Sequence, residues 1–392
     1  MSTKIVIVAA KRTPIGSFLG SLASVSAPKL AATAIKGILD ETKIPSNLIE
    51  EVYLGNVLQA GLGQAPAKQA AIYAGLNNYV PCTTINKVCA SGMKAITMGA
   101  QAIKSGDRDI VLVGGMENMS SVPHYTNQRN GQKLGNRTLE DGLLKDGLIN
   151  VYDEQHMGVC AELCATTHHI SREEQDHFAI QSYKKSITAN NQGKFKTEIT
   201  PVSIRDKKGN ETIVDNDEEF INFRPEKFPL LKPVFAKDGT VTAANASTLN
   251  DGAAALLIMS EEKAKILNLK PLAEIVAYTD AATNPELFTT APALAIPSVL
   301  KKANTDLENI DFFELNEAFS VVGIANANIL KIPMHKINKN GGAVSLGHPL
   351  GCSGARIVVS LIHVLKQEQK QFGLAAICNG GGGATAMIIK NI

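Results

Sequence analysis

Cys89 stands between an extended run, Thr83–Val88, and a stretch in which Met93, Ile96, Ala100 and Ile103 recur at helical spacing. A thiol at that junction meets the first turn of a helix, where backbone N–H groups are unpaired and the local charge is positive. Such a setting lowers a thiol's pKa, and the thiolate is the nucleophilic form. Ala90, Ser91 and Gly92 are small and leave room for a substrate carbonyl. The competing reading is a buried structural cysteine, the commoner fate of the residue.

Three other places carry residues of the right type. His348 lies in the Gly- and Pro-rich stretch Asn340–Gly351, where Pro349 drives it out of helical backbone angles. A cysteine with a separate histidine is the minimum for an activated thiol nucleophile. Cys378 ends an apolar run and is followed by Asn379 and four glycines, Gly380–Gly383, whose exposed N–H groups could hold an oxyanion. It could equally be a strand-end cysteine beside a turn. Asn316-Glu317-Ala318-Phe319 follows the run Asp311–Leu315. A polar pair there can orient a water or a substrate group, although Asn316 also suits a helix N-cap.

Other patterns are weaker. Cys160, Cys164, His168 and His169 fall at helical spacing, but no C-x2-C pair occurs anywhere, which disfavours structural zinc. No G-x4-G-K-[ST] loop is present, and Gly61-x-Gly63 lacks the third glycine of a dinucleotide fingerprint.

The elements that must hold these residues are legible. Ile5–Ala9, Glu51–Val57, Thr83–Val88 and Ile110–Val113 read as strands, alternating with helical patterns at Leu30–Leu39, Ala65–Ala74 and Met93–Ile103. That alternation predicts an α/β domain with a mostly parallel sheet. Residues ~120–250 are polar, with a helix over Arg172–Ala189, and read as a large insertion. The α/β rhythm returns from ~270. There Gly351–Arg356 opens a helix that leads to the strand Leu374–Ile377 and a glycine run, echoing Cys89–Lys94, the strand Asp109–Val113 and Gly114-Gly115. The echo predicts an internal duplication at domain scale.

Composition sets the outer bounds. The chain has 392 residues, 44% hydrophobic and 19% charged, with 39 Lys+Arg against 37 Asp+Glu. The length suits two or three domains, and the near-neutral balance argues against a nucleic-acid partner. No apolar run approaches the ~18 residues of a membrane span. The start, MSTKIVIVAAKRTP, reads as a first strand and not a signal peptide, so the cytoplasm is expected, or the mitochondrion if a targeting segment precedes this chain. Six cysteines without a secretory signal are expected as free thiols.

Four blocks together resemble the signatures of the thiolases, in that family's order and spacing. They are Asn86–Gly92, Asn316–Phe319, Gly341–Gly351 and Cys378–Gly383, and the likeness runs from Arg12-Thr13-Pro14 to the C-terminus. Gly239–Gly252 (GTVTAANASTLNDG) is most similar to the acetoacetyl-CoA thiolases. The resemblance implies a transferase that condenses two acetyl-CoA molecules reversibly to acetoacetyl-CoA and CoA. Cys89 would carry the acetyl group, and His348 would take its proton. Cys378 would be the acid/base for the methyl of the second acetyl-CoA. Asn316 would hold a water that joins His348 in one oxyanion hole, and the N–H groups of Cys89 and Gly380 would form the other.

It also implies a coenzyme A site with Tyr183, Asn222, Phe223, Arg224, Lys227, Ser247, His156, Met157, Phe288 and Phe319. Here the sequence departs from the family, which has an Arg-hydrophobic-Asp triplet where Asn222-Phe223-Arg224 stands. Tyr183, Ala243, Ala244, Ala246 and Val344 resemble the potassium site of the mitochondrial-type members, and Phe288 matches the subgroup that also accepts 2-methylacetoacetyl-CoA. No covalently bound cofactor is implied. The implied fold is α/β, two duplicated halves in a layered αβαβα core, each with a mixed five-stranded sheet. Residues 1–118 with 250–270 would form the first half, 119–249 an inserted loop domain, and 271–392 the second half. The family implies a homotetramer, with Tyr125–Arg137 the candidate contact. A longer-chain 3-ketoacyl-CoA thiolase is the alternative activity, and a non-catalytic acyl-CoA or lipid binder the alternative class.

Overall fold

The structure, a computed structural model, describes residues 3–129, 131, 133–205 and 207–392. Asn130 and Gln132 of the candidate tetramer segment lie outside the described residues. Nine principal strands are β1 (Ile5–Arg12), β2 (Glu51–Gly55), β3 (Cys82–Ile85), β4 (Ile110–Asn118), β5 (Asn250–Ser260), β6 (Ala273–Ala282), β7 (Phe312–Leu315), β8 (Phe372–Asn379) and β9 (Gly383–Asn391). They lie in the order β7-β8-β9-β6-β1-β5-β4-β2-β3, with the two-residue strand Gly16–Ser17 pairing on β5.

The pairing pattern occurs twice. From one edge, β3 and β2 are parallel, β2 and β4 are parallel, β5 is antiparallel to β4, and β1 is antiparallel to β5. From the other edge, a parallel bridge at Ile337 lies on β7, β7 and β8 are parallel, β9 is antiparallel to β8, and β6 is antiparallel to β9. The two sheets continue into one another where β1 pairs with β6, Val6 opposite Glu274 and Ile7 opposite Ala273. That pairing satisfies two edges that would otherwise present open hydrogen-bonding groups.

Strand periodicity builds the layers. Side chains alternate across a strand, so Ile5 and Ile7 of β1 enter one core while Val6 and Val8 enter another. The outer core of the first half is covered by α1 (Ala27–Thr42) and α2 (Pro66–Tyr73). The outer core of the second half is covered by α6 (Pro292–Ala303). Between the sheets lie α3 (Ser91–Ser105) and α8 (Leu350–Gln367), whose side chains share one core with strands from both halves. The order of layers is therefore helix, sheet, helix, sheet, helix. α8 is buried without a break from Leu350 to Ile362, as expected of a helix apolar on nearly every face.

The two central helices touch through glycine. A Cβ on Gly92 of α3 would come 2.7 Å from the Ala355 nitrogen of α8, and one on Gly354 would come 2.5 Å from the Met93 nitrogen. Only hydrogen fits at either place, so the backbones approach closely and their N-termini are brought together. Cys89 precedes one N-terminus and His348 the other.

Between β4 and β5 the chain forms α4 (Met157–Thr167) and α5 (Arg172–Asn191). α5 starts on a capping box between Ser171 and Glu174. The buried Arg12 ties this region to β1, with Nε 2.6 Å from Glu198 and Nη1 2.7 Å from Asp217. α7 (Ser320–Leu330) packs on both α4 and α5. No helix among the described residues is long and apolar enough to cross a membrane.

Candidate active site

Cys89 follows Val88, which sits in the left-handed region at φ 46°. A β-branched residue there is an outlier that costs about 1–3 kcal/mol and persists only where the surroundings hold it. The Cys89 thiol is buried, and the backbone N–H groups of Gly380 and of Cys89 itself face it electrostatically. Burial raises the thiol to about 11, and these two N–H groups pull in the other direction. Burial outweighs the helix terminus, so at neutral pH the free thiol keeps its proton and needs a base.

His348 lines the same cavity as Cys89. Gly347 before it has φ 104°, and a Cβ there would lie 2.4 Å from the Asn250 side chain, so only glycine makes this turn. The His348 amide donates to Asn250 Oδ1 at 2.9 Å. Ser353, on the first turn of α8, donates its hydroxyl proton to the Pro349 carbonyl at 2.9 Å. Its oxygen is then an acceptor for His348 Nδ1, 2.6 Å away. That assignment places the ring proton on Nδ1 and leaves a lone pair on Nε2. Burial, with a smaller push from Arg356, lowers the imidazole to about 3, so it is neutral at physiological pH. Asn316 Nδ2 lies 3.4 Å from Nε2.

Asn316 is not a helix cap. Its amide donates to Ala376 on β8, and α7 begins four residues later with Phe319 at the cap position. The Asn316 Oδ1 is buried without a hydrogen-bond partner. A buried amide oxygen left unpaired is costly and marks a place where a water or ligand donor fits. Cys378, at the end of β8, is fully buried. Burial pushes its thiol well up, and the neighbouring Cys89 pushes it further.

Cys89, His348 and Gly380 line one cavity of about 710 Å³. Of the residues the sequence named for coenzyme A, His156, Met157, Asn222, Ser247, Phe288 and Phe319 line it too, as do Ala243 and Ala246. Ser247 donates both its amide and its hydroxyl to Ala318 O, at 3.1 and 2.8 Å. His156 caps α4 by accepting from the Gly158 amide, and its ring stacks on Phe235 at 4.7 Å. Tyr183 and Phe223 do not line the cavity. They stack on each other at 4.9 Å, in a cluster with Val344 and Ala244. Arg224 and Lys227 are exposed, and Arg224 donates to the carbonyls of Ile221 and Phe223.

Sequence reasoning missed three groups. Phe235, Leu148 and Leu249 form apolar wall, and nothing in their local pattern distinguishes them from ordinary packing residues. Ser353 was visible only as a serine one helical turn past Pro349. Glu117 is buried on β4, where its carboxylate accepts from the amides of Val57, Leu58 and Gly351 and from Asn56. Burial raises it to about 7 against those hydrogen bonds. It thereby fastens the loop after β2 to the start of α8.

Residues 5–262 match the family model described as "Thiolase, N-terminal domain", and residues 269–391 match "Thiolase, C-terminal domain". The chain belongs to the thiolase family. This thiolase is 55% identical over 389 residues to the mitochondrial acetyl-CoA acetyltransferase of Rattus norvegicus, spanning 99% of this chain and 91% of the relative. It is 52% identical over 388 residues to a cytosolic acetyl-CoA acetyltransferase of Gibberella zeae, spanning 98% of each. Its fold matches the crystal structure of Acat5 thiolase from Ascaris suum in complex with coenzyme A. The TM-score is 0.95 at 46% identity, over 99% of this chain and 100% of that one.

Proposed function

We infer that this thiolase is an acetyl-CoA C-acetyltransferase, joining two acetyl-CoA molecules to acetoacetyl-CoA and CoA and running the reverse thiolysis. The observation that carries the chemistry is that Cys89, Gly380 and His348 line one cavity, with Nε2 of His348 unprotonated. Relatives named acetyl-CoA acetyltransferases match nearly the whole chain.

The proposed cycle balances as follows. His348 Nε2 takes the Cys89 proton as sulfur attacks the thioester carbonyl of the first acetyl-CoA. The C–S bond to CoA breaks, leaving acetyl-Cys89, and the departing CoA thiolate takes the Cys378 proton. A second acetyl-CoA then enters. Cys378, now a thiolate and a strong base because its thiol is so weak an acid, removes a methyl proton. The enolate oxygen is held by His348 Nε2–H and a water on Asn316. Its carbon attacks acetyl-Cys89, with the new oxyanion on the N–H groups of Cys89 and Gly380. Cys89 leaves and recovers its proton from His348. Preorganised donors of this kind are each worth ~10²–10³ in rate.

Residues 119–249 form the coenzyme A domain in this reading, between halves at 1–118 with 250–270 and at 271–392. A potassium ion on Tyr183 and the carbonyls of Ala243, Ala244, Ala246 and Val344 would brace the Ser247 loop from behind. The supporting observation is that Tyr183, Ala244 and Val344 fall in one cluster while Ala243 and Ala246 line the cavity with Ser247. We place the assembly as a homotetramer through Tyr125–Arg137, and the compartment as cytoplasm or mitochondrion. Phe288 and Phe319 line the cavity, and their bulk supports a reading for short substrates, including a 2-methyl branch, over long 3-ketoacyl chains.

The test is thiolysis of acetoacetyl-CoA by purified protein with added CoA, in potassium and in sodium. Loss of substrate that potassium accelerates supports both readings. Equal rates in the two salts remove the potassium site. No turnover with acetoacetyl-CoA, but turnover of longer 3-ketoacyl-CoAs, moves the assignment to the longer-chain enzyme.

A further inference from the structure

Lys87, two residues before the nucleophile, plays no part in the cycle above, yet it is anchored on the opposite half of the molecule. Its Nζ lies 2.5 Å from Asp280 Oδ1 on β6 and 2.8 Å from Thr385 Oγ1 on β9. Thr385 in turn donates to the same Asp280 oxygen at 2.7 Å. Lys94, on α3, takes the other carboxylate oxygen at 2.8 Å. The Lys87 backbone is fixed as well, its amide donating to Ser91 Oγ at 2.8 Å. Between this doubly held residue and Cys89 stands Val88 alone, in its left-handed conformation. The second half thus grips the nucleophile loop through the Lys87 side chain and sets the Gly380 N–H beside the Cys89 sulfur.

We propose that Lys87 is a positioning residue for Cys89: its reach to Asp280 and Thr385 across the domain boundary holds Val88 in the strained turn and so keeps the Cys89 sulfur on the Gly380 N–H. This rests on Cys89 being the nucleophile. A misplacement of about 1 Å in a reacting atom can cost up to ~10²-fold in rate. The Asp280 carboxylate is well suited to the task. Burial would raise it, but hydrogen bonds from Lys87, Lys94 and Thr385 outweigh this and draw it down to about 2, so the anchor keeps its charge through the working pH range.

The test compares Lys87→Met, Lys87→Arg, Lys94→Met and Asp280→Asn in the full-length chain. Single-turnover acetylation by acetyl-CoA, coenzyme A affinity by calorimetry and thermal midpoint are measured for each. Lys87→Met is expected to slow acetylation roughly tenfold to a hundredfold with coenzyme A affinity and thermal midpoint nearly unchanged. Lys87→Arg, which restores a cation at Asp280, should recover most of the rate. Asp280→Asn approaches the same contact from the other half and should also slow acetylation. Lys94→Met should leave acetylation near the parent rate, because Lys94 holds no part of the turn. Equal slowing by Lys94→Met and Lys87→Met would overturn the proposal in favour of a general charge effect, and so would an unchanged acetylation rate in Lys87→Met. If no variant and no parent protein is acetylated at all, the failure lies with the nucleophile assignment and not with the anchor.

Discussion

Ser353 Oγ lies 2.6 Å from His348 Nδ1, and the same hydroxyl donates to the Pro349 carbonyl. The serine therefore selects the tautomer that leaves Nε2 unprotonated. Ser353→Ala removes that selection without disturbing the apolar packing of α8. We expect kcat to fall roughly tenfold or more, since a wrong tautomer removes the base while the rest of the site remains. Ser353→Thr, which keeps the hydroxyl, should retain more activity. Steady-state kinetics of both variants, with coenzyme A affinity as control, check this.

Cys378→Ala separates the two half-reactions. In the proposed cycle the proton from the second substrate's methyl goes to Cys378, which neighbours Cys89, while Cys89 keeps His348 and Gly380. Labelled acetyl-CoA should still label the variant, and acetoacetyl-CoA formation should stop. Absence of label in a folded variant would contradict the division of labour between the two thiols.

Asn316→Ala removes the side chain whose Oδ1 is buried and unpartnered. Loss of one oxyanion donor costs ~10²–10³ in rate. We expect that loss in condensation and thiolysis, with a smaller effect on acetylation of Cys89, where the Gly380 and Cys89 amides serve instead. Pre-steady-state measurement of each half-reaction distinguishes the two effects.

His348 also makes a stability prediction. Its pKa is lowered in the fold to about 3 from an ordinary 6.5. Between those values the unfolded chain holds a proton that the folded chain does not, so His348 contributes stability above pH 6.5 that is lost as pH falls toward 3. Glu117, raised to about 7, acts in the opposite sense and favours the fold at lower pH. The difference between parent and His348→Asn isolates the histidine. Denaturation at pH 7, 5 and 4 should show the parent losing more stability on acidification than the variant, by an amount on the order of a few kcal/mol.

Much of this arrangement could be read from the chain. The sequence pattern located β1, α1, α3, β8 and α8 to within a few residues, because α1 and α3 bury a regular apolar face and β1, β8 and α8 are apolar stretches buried on nearly all sides. Cys89, His348 and Cys378 were marked by their positions at strand ends and in glycine-rich turns. What the sequence could not show is tertiary. The Glu117 carboxylate serves amides from two distant segments, and Ser353 matters only because α8 starts where Pro349 turns the chain. Val88 carries no sign of its left-handed backbone, since a β-branched residue is the last expected there. The cavity wall from Leu148 and Phe235 arises from the polar middle region, whose irregular path has no period to read.

The proposed cycle turns on one covalent event, acetyl transfer from acetyl-CoA to Cys89. Acetyl-CoA added to the protein, followed by acid quench, proteolysis and peptide mass mapping, tests it directly. One acetyl group per chain is expected on the peptide that contains Cys89, removed on addition of free CoA and absent from Cys89→Ala. An acetyl group that resides on Cys378 or Cys82, or an unmodified protein that still turns over acetoacetyl-CoA, would contradict it.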